Sequence, residues 1–199
     1  MEPKISAILL AAGLSLRMGE DKLLLQYRGK TLLQRAVDFL GVLPVYEKIV
    51  VTTEARLNDV SLPPGVHAVI NQKPEEGQSG SLRLGVSAAT GSQYLFLTAD
   101  QPLLTAEDLQ PLLKGAYNNK DSIIYPVING SPCSPVVFSS HFRDELLSLS
   151  GDTGGRTVRS RHPEVCVVIL PEHPENFSDI DSPEDYLELM HITKRTVLQ

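Results

Sequence analysis

Ile5-Ser6-Ala7-Ile8-Leu9-Leu10-Ala11-Ala12-Gly13-Leu14-Ser15-Leu16-Arg17-Met18-Gly19-Glu20-Asp21-Lys22 begins as a continuous apolar run and breaks into a polar, glycine-bearing loop. The run from Ile5 to Ala11 is short and unbroken, the pattern of a strand buried on both faces. In the loop, Gly13 and Gly19 let backbone amides approach an anion with no Cβ in the way. Arg17 adds a forked donor and Lys22 a point charge, both suited to phosphate oxygens. A loop that follows the first strand lies at the sheet's carboxyl edge, where open α/β sheets bind ligands. It is not a Walker A sequence, and no G-x-G-x-x-G occurs in the chain. On residues alone, a surface turn with two exposed cations describes it equally well.

Outward from this stretch, strand and helix patterns alternate. Leu32, Leu33, Ala36, Val37 and Leu40 recur at helical spacing behind Thr31, a candidate N-cap. The β-branched run from Ile49 to Thr53 predicts a second strand. His67 to Ile70, Tyr94 to Thr98, Ile123 to Val127, Pro135 to Phe138 and Val165 to Leu170 are further strand candidates, and Ser81 to Ala89 reads as a helix. Thr105-Ala106-Glu107-Asp108 resembles a capping box opening a helix through about Lys114. The alternation predicts an α/β fold, with a mostly parallel sheet covered by helices on both faces. With 199 residues and no convincing linker, one domain over 1–199 is expected.

The strand from Tyr94 to Thr98 runs into Ala99-Asp100-Gln101-Pro102. If it lies beside the first strand, Asp100 faces the anion loop across the crevice, and a carboxylate there can hold Mg²⁺. Taken alone, Asp-x-Pro is a common turn. Ser79 and Ser81 offer hydroxyls near a helix N-terminus, in a segment loosened by Gly77 and Gly80. Arg156 follows the flexible Gly151-Asp152-Thr153-Gly154-Gly155 loop and is either a phosphate ligand or a solvated helix cation. Ser182 as N-cap, Pro183 at the first helical position and acidic residues behind them predict a helix start. That leaves Asp179 and Asp181, just outside the cap, unexplained.

The net charge of −6 and pI near 5.4 argue against a nucleic-acid binder that relies on a broad basic face. Cys133 and Cys166 match neither a metal spacing nor a disulfide framework. The five histidines show no i,i+4 zinc pair. No stretch approaches the roughly 20 apolar residues of a membrane span, and the N-terminus lacks the form of a signal peptide, so the cytoplasm is expected.

The motif Leu10-Ala11-Ala12-Gly13-x-Ser15-x-Arg17-Met18-Gly19-x-x-Lys22 resembles the signature of the molybdenum-cofactor nucleotidyltransferases, on the glycosyltransferase-A-like fold. The resemblance runs from Leu10 to Tyr186, with motifs in the expected order. It implies that Leu10, Ala11, Ala12, Gly13, Ser15, Arg17 and Lys22 form the nucleotide loop, with Arg17, Lys22 and Asp100 the catalytic set. Asp-Gln-Pro at 100–102 and Asp-Ile-Asp-Ser-Pro-Glu-Asp at 179–185 are similar to family motifs, which implies metal binding by Asp100 and Asp181. The 76–85 segment implies that Ser79 and Ser81 lie near base or ribose. Gly151 to Arg156 is similar to the acceptor-side Gly-Asp-x-Gly-Ala-Arg, implying roles for Asp152 and Arg156, although Gly155 stands where alanine is usual. Ala12 follows the cytidylyl branch; the guanylyl branch usually has a second glycine. CTP, Mg²⁺, a molybdopterin acceptor and a molybdoenzyme client are the implied partners.

No triad or general base is evident in the sequence. An acceptor phosphate, with its second pKa near 6, is largely dianionic at neutral pH. It needs positioning and relief from repulsion rather than deprotonation. The rival readings are a GTP-using or sugar-phosphate enzyme on the same fold, and a non-catalytic accessory protein that carries a cofactor to an apo-enzyme.

Overall fold

The computed structural model describes residues 3–13 and 21–197. In chain order the strands are β1 (Ile5–Ala11), β2 (Gln26–Tyr27), β3 (Lys30–Thr31), β4 (Glu47–Thr52), β5 (Val66–Ile70), β6 (Gln93–Thr98), β7 (Ile123–Ile128), β8 (Ser131–Pro132), β9 (Val136–Ser139) and β10 (Cys166–Ile169). The α-helices are α1 (Leu32–Val42), α2 (Glu54–Asn58), α3 (Gln78–Ala88), α4 (Ala106–Asn118), α5 (Arg143–Leu147), α6 (Gly155–Arg161) and α7 (Pro183–Val197). The main sheet runs β10-β7-β9-β6-β1-β4-β5, with β8 on β7, while β2 and β3 form a separate hairpin.

β1 lies at the centre, parallel to β4 on one side and to β6 on the other. Alternation along these strands divides the core into two layers. Ala7 and Leu9 of β1, Val50 of β4, and Leu95 and Leu97 of β6 face α1 and α4. Ile8, Ile49, Val51, Tyr94 and Phe96 face α3, α5 and α6. The expected helices on both faces are therefore present. The parallel pattern breaks at β9, which is antiparallel to both β6 and β7. Asn129 and Gly130 turn the chain back with φ of 51° and 78°, and residues 129–135 are too few for a crossover helix.

Local chemistry sets the helix starts. Thr31 caps α1 through Gln34 N–H, and Thr105 and Asp108 form the reciprocal box at α4, which extends to Asn118. At α7 the Asp185 carboxylate accepts from Ser182 N–H, while the Ser182 hydroxyl accepts from Asp185 N–H. The Ser182 bond holds the Asp185 carboxyl below the ordinary carboxylate range. α3 begins at Gln78, earlier than the periodicity from Ser81 suggests, so Ser79 and Ser81 belong to its first turn.

α3 lies close enough to the sheet that a Cβ on Gly85 would collide with Ile8 Cγ2 and come to 3.3 Å from Val51 Cγ2. This close approach brings the first turn of α3 to the carboxyl edge of β1 and β4. Gly85→Ala is expected to destabilise the protein by about 1–3 kcal/mol through overpacking. The measurement is the denaturant midpoint; an unchanged midpoint would show that the layer gives way freely.

Candidate active site

Because β1, β4, β5 and β6 are parallel, their carboxyl ends emerge along one edge of the sheet. The segments after all four strands gather there, as expected for a switch-point crevice. Ala12 and Gly13 follow β1; Asp21 and Lys22 lie at the far end of the same loop. Asp100 follows β6. Leu14, Ser15 and Arg17 lie outside the described residues, as do Leu16, Met18, Gly19 and Glu20.

Lys22 Nζ donates to Asp100 Oδ2 at 2.7 Å, to Asp181 Oδ1 at 2.8 Å and to the Ile180 carbonyl at 2.9 Å. These partners use the three donors of an ammonium. Burial would lower the lysine's pKa, but the Asp100 charge and the bonds to Asp100 and Asp181 outweigh it, and the net shift is upward. The Lys22 and Asp100 side chains are only 16% and 20% exposed, whereas that of Asp181 is 55% exposed. Solvent therefore screens the second pair more than the first.

The C-terminal segment reaches this point by two anchors. Ile180 is buried against Tyr27, Leu32 and Leu189, and its N–H donates to the Asp100 carbonyl at 2.9 Å. Gln101 Nε2 bonds the carbonyls of Phe177 at 2.9 Å and Ser134 at 3.2 Å, joining the tail to the loop before β9. With Ile180 turned into the core, Asp179 and Asp181 flank it at the crevice. Partial loss of water, followed by the charges of Asp100 and Asp181, pushes the Asp179 carboxyl up to about 7; Lys22 and Gln101 pull in the opposite direction. Three carboxylates thus crowd one lysine.

The crevice also offers an oxygen donor for a cation. Asp100 Oδ1 is buried without a hydrogen-bond partner, an open lone pair beside the Lys22–Asp181 contact. Among the described residues, no group of three His, Cys, Asp or Glu is arranged to hold a metal by itself. Mg²⁺, however, commonly takes one or two carboxylates and completes its shell with water and phosphate oxygens. Asp100 and Asp181 suit that donor set.

A second group forms around α3. Ser79 is fully buried; its hydroxyl donates to the Gly151 carbonyl at 2.7 Å, and its N–H reaches the same oxygen at 3.3 Å. The Ser81 hydroxyl accepts from Asn71 Nδ2 at 3.0 Å. Both hydroxyls are therefore committed to protein partners that tie the 77–81 turn to its neighbours. Gly77, with φ of 90°, lies so close to Gly151 that a Cβ would stand 2.7 Å from its carbonyl oxygen. This contact lays the 151–155 loop on the start of α3, leaving Asp152 and Arg156 exposed. The glycine at 155 also has a steric reason, since a Cβ there would meet Phe138 Cε2 at 2.8 Å.

Arg56 and Asp21 did not stand out in the sequence. Arg56 is 6% exposed, on the short α2 behind β4. Its Nε and Nη2 grip Asp21 Oδ2 and Oδ1 at 2.7 and 2.8 Å, while Nη1 and Nη2 reach the carbonyls of Ala11 and Gly13 at 2.7 and 2.9 Å. The available signal was an arginine just past the carboxyl end of a buried strand. Cys133 and Cys166 are free, and burial pushes both thiols up, away from nucleophilic use at neutral pH. Among the described residues, no helix is long and apolar enough to cross a membrane.

The chain is 30% identical to the purine catabolism protein PucB of Bacillus subtilis, over 92% of this chain and 95% of that protein. It is 27% identical to the molybdenum cofactor cytidylyltransferase of Escherichia coli, covering 92% and 94%. A probable molybdenum cofactor guanylyltransferase of Pyrococcus horikoshii is 25% identical, covering 92% and 97%. Among solved structures, a nucleotidyl transferase from Methanothermobacter superposes with a TM-score of 0.81 at 24% identity, covering 97% and 99%. Rv0371c of Mycobacterium tuberculosis, in a complex with manganese, superposes with a TM-score of 0.74 at 23% identity, covering 94% and 98%. These two likenesses establish the nucleotidyltransferase fold. Residues 7–165 match the MobA-like NTP transferase domain, and the chain is a member of that nucleotidyltransferase family.

Proposed function

We propose that this protein transfers CMP from CTP to the phosphate of a molybdopterin-type acceptor and releases pyrophosphate. The observation that carries the reading is the convergence of Lys22, Asp100 and Asp181 beside the loop that follows β1. A cofactor carrier needs no such paired carboxylates, so the geometry favours an enzyme over an accessory protein.

In this reading Gly13, Ser15 and Arg17 hold the triphosphate, with Leu10, Ala11 and Ala12 shaping the loop's base, and Lys22 joins them by turning one of its three donors from a protein partner to the phosphate when the nucleotide binds. Asp100 and Asp181 would hold Mg²⁺, which would neutralise the triphosphate and polarise its α-phosphate. The manganese complex of the mycobacterial structure supports a divalent metal on this fold. Lys22 keeps the two carboxylates adjacent and balances part of their charge. Asp152, on the loop that rests on α3, and Arg156, in the first turn of α6 behind it, are proposed to receive the acceptor. That loop's grip on Ser79 would link the acceptor side to the nucleotide side. The acceptor phosphate attacks the α-phosphorus in line, the bond to the β-phosphate oxygen breaks, and pyrophosphate leaves with the electron pair. Since the nucleophile is already anionic, none of these residues needs to act as a base. Ala12 favours CTP; the Pyrococcus relative supports the guanylyl alternative. Product delivery to a molybdoenzyme in the cytoplasm fits the same reading.

Asp100→Asn is expected to lower turnover on the order of a hundredfold with Mg²⁺ while keeping the fold. Pyrophosphate release and circular dichroism check this, and near-normal turnover would remove Asp100 from the metal. Arg156→Ala is expected to raise the acceptor KM about tenfold, the loss of one charge-assisted contact, without changing the NTP KM. A shift in the NTP KM instead would place Arg156 on the other substrate. With purified protein, molybdopterin, Mg²⁺ and equal CTP, GTP, ATP and UTP, mass spectrometry should show the cytosine dinucleotide as the main product. A guanine product would transfer the assignment to GTP.

A further inference from the structure

Arg56 has a geometry that burial alone does not require. Its side chain extends from α2 beneath the start of the β1 loop and spends its donors on two places far apart in that loop. Ala11 and Gly13 form one end; Asp21 forms the other. A single nitrogen, Nη2, serves both the Gly13 carbonyl and Asp21 Oδ1. The rigid, planar guanidinium therefore ties the two ends of the loop to one group and limits their separation.

The Asp21 carboxylate passes the restraint on. Oδ1 also accepts from Leu23 N–H at 3.1 Å and caps the short turn Lys22–Leu24. That turn presents Lys22 to Asp100 and Asp181. Arg56 is itself held in place: its N–H donates to the Thr53 hydroxyl at 3.3 Å, at the start of α2. One chain of contacts thus runs from β4 through Arg56 and Asp21 to Lys22.

We infer that Arg56 is the positioning residue of the nucleotide loop: it closes the loop's base before substrate arrives and sets the bearing of Lys22. This rests on the reading of that loop as the NTP site. The physical gain is preorganisation. Bringing the ends of a loop together costs chain entropy, and ordering a site on binding costs affinity. A buried clamp meets those costs during folding, so nucleotide binding does not have to meet them again. Lysine cannot replace it, because one ammonium on a flexible stem does not reproduce the two-point grip on Asp21 together with both carbonyls.

The test is calorimetric titration of full-length wild type, Arg56→Lys and Asp21→Asn with CTP and with GTP in excess Mg²⁺. Stoichiometry reports the fraction of competent protein, and Kd reports the positioning of the loop. For whichever nucleotide the wild type binds, Arg56→Lys should keep the stoichiometry and weaken Kd at least tenfold. Asparagine keeps an oxygen for Leu23 N–H but loses the charge that Arg56 grips. Asp21→Asn should therefore weaken Kd at least fivefold, and it carries the test if Arg56→Lys does not fold. A Kd within twofold of wild type, or a fall in stoichiometry alone, would reduce Arg56 to a structural residue and overturn the inference. Failure of the wild type to bind either nucleotide would instead overturn the NTP-site reading, and the clamp's proposed role with it.

Discussion

The ammonium of Lys22 joins three parts of the chain that otherwise meet nowhere in sequence. Its partners lie 78, 158 and 159 residues away, at Asp100, Ile180 and Asp181. Two carboxylates at the same crevice repel each other unless a cation lies between them. A largely buried lysine supplies that cation and donates hydrogen bonds to its partners. At Asp179 loss of water, and after it the charges of Asp100 and Asp181, outweigh the pull of Lys22 and Gln101, and the carboxyl is pushed up to about 7. The candidate site is built around this shared cation.

The contact depends on the sheet behind it. Parallel pairing of β1 with β4 and β6 points the loops after all three strands the same way. Close packing then keeps those loops near one another. Gly85 allows α3 against Ile8, Gly77 admits the Gly151 carbonyl, and Gly155 makes way for Phe138. Phe138 in turn packs edge-to-face with Phe96 and Phe142, which makes the space at Gly155 a property of the core rather than of a loose loop. A glycine that looked like added flexibility in the sequence is a fitted surface.

Much of the fold was legible because the forces that start and stop elements act between near neighbours. Thr105 with Asp108, and Ser182 with Asp185, form caps that a four-residue window reveals. The unbroken apolar runs of β1, β4 and β6 reflect burial on both faces. The reversal at β9 was less evident, although Asn129-Gly130 carried the signal for a tight return. The site was legible at its acidic and basic residues, whose spacing resembled a known signature. It was less legible at Ser79 and Ser81: a hydroxyl near a helix start suggests a ligand or a cap with equal ease, and burial against Gly151 and Asn71 appears only in three dimensions. Arg56 was silent for a similar reason, since its acceptors include two backbone carbonyls that leave no mark on the side-chain sequence.

The amino-acid order by itself determined the strand and helix alternation, the α/β class, the position of the anion-suited loop after the first strand, and the presence of Lys22, Asp100 and Asp181. These follow from periodicity, capping and side-chain chemistry, all written within short windows of the chain. Only the tertiary structure decided that Ile180 turns inward so that Asp181 meets Lys22, that Gln101 braces the tail, and that Arg56 joins both ends of the β1 loop. Each of these is a contact across many residues, set by sheet order and by which atoms are left to satisfy one another once the core has closed.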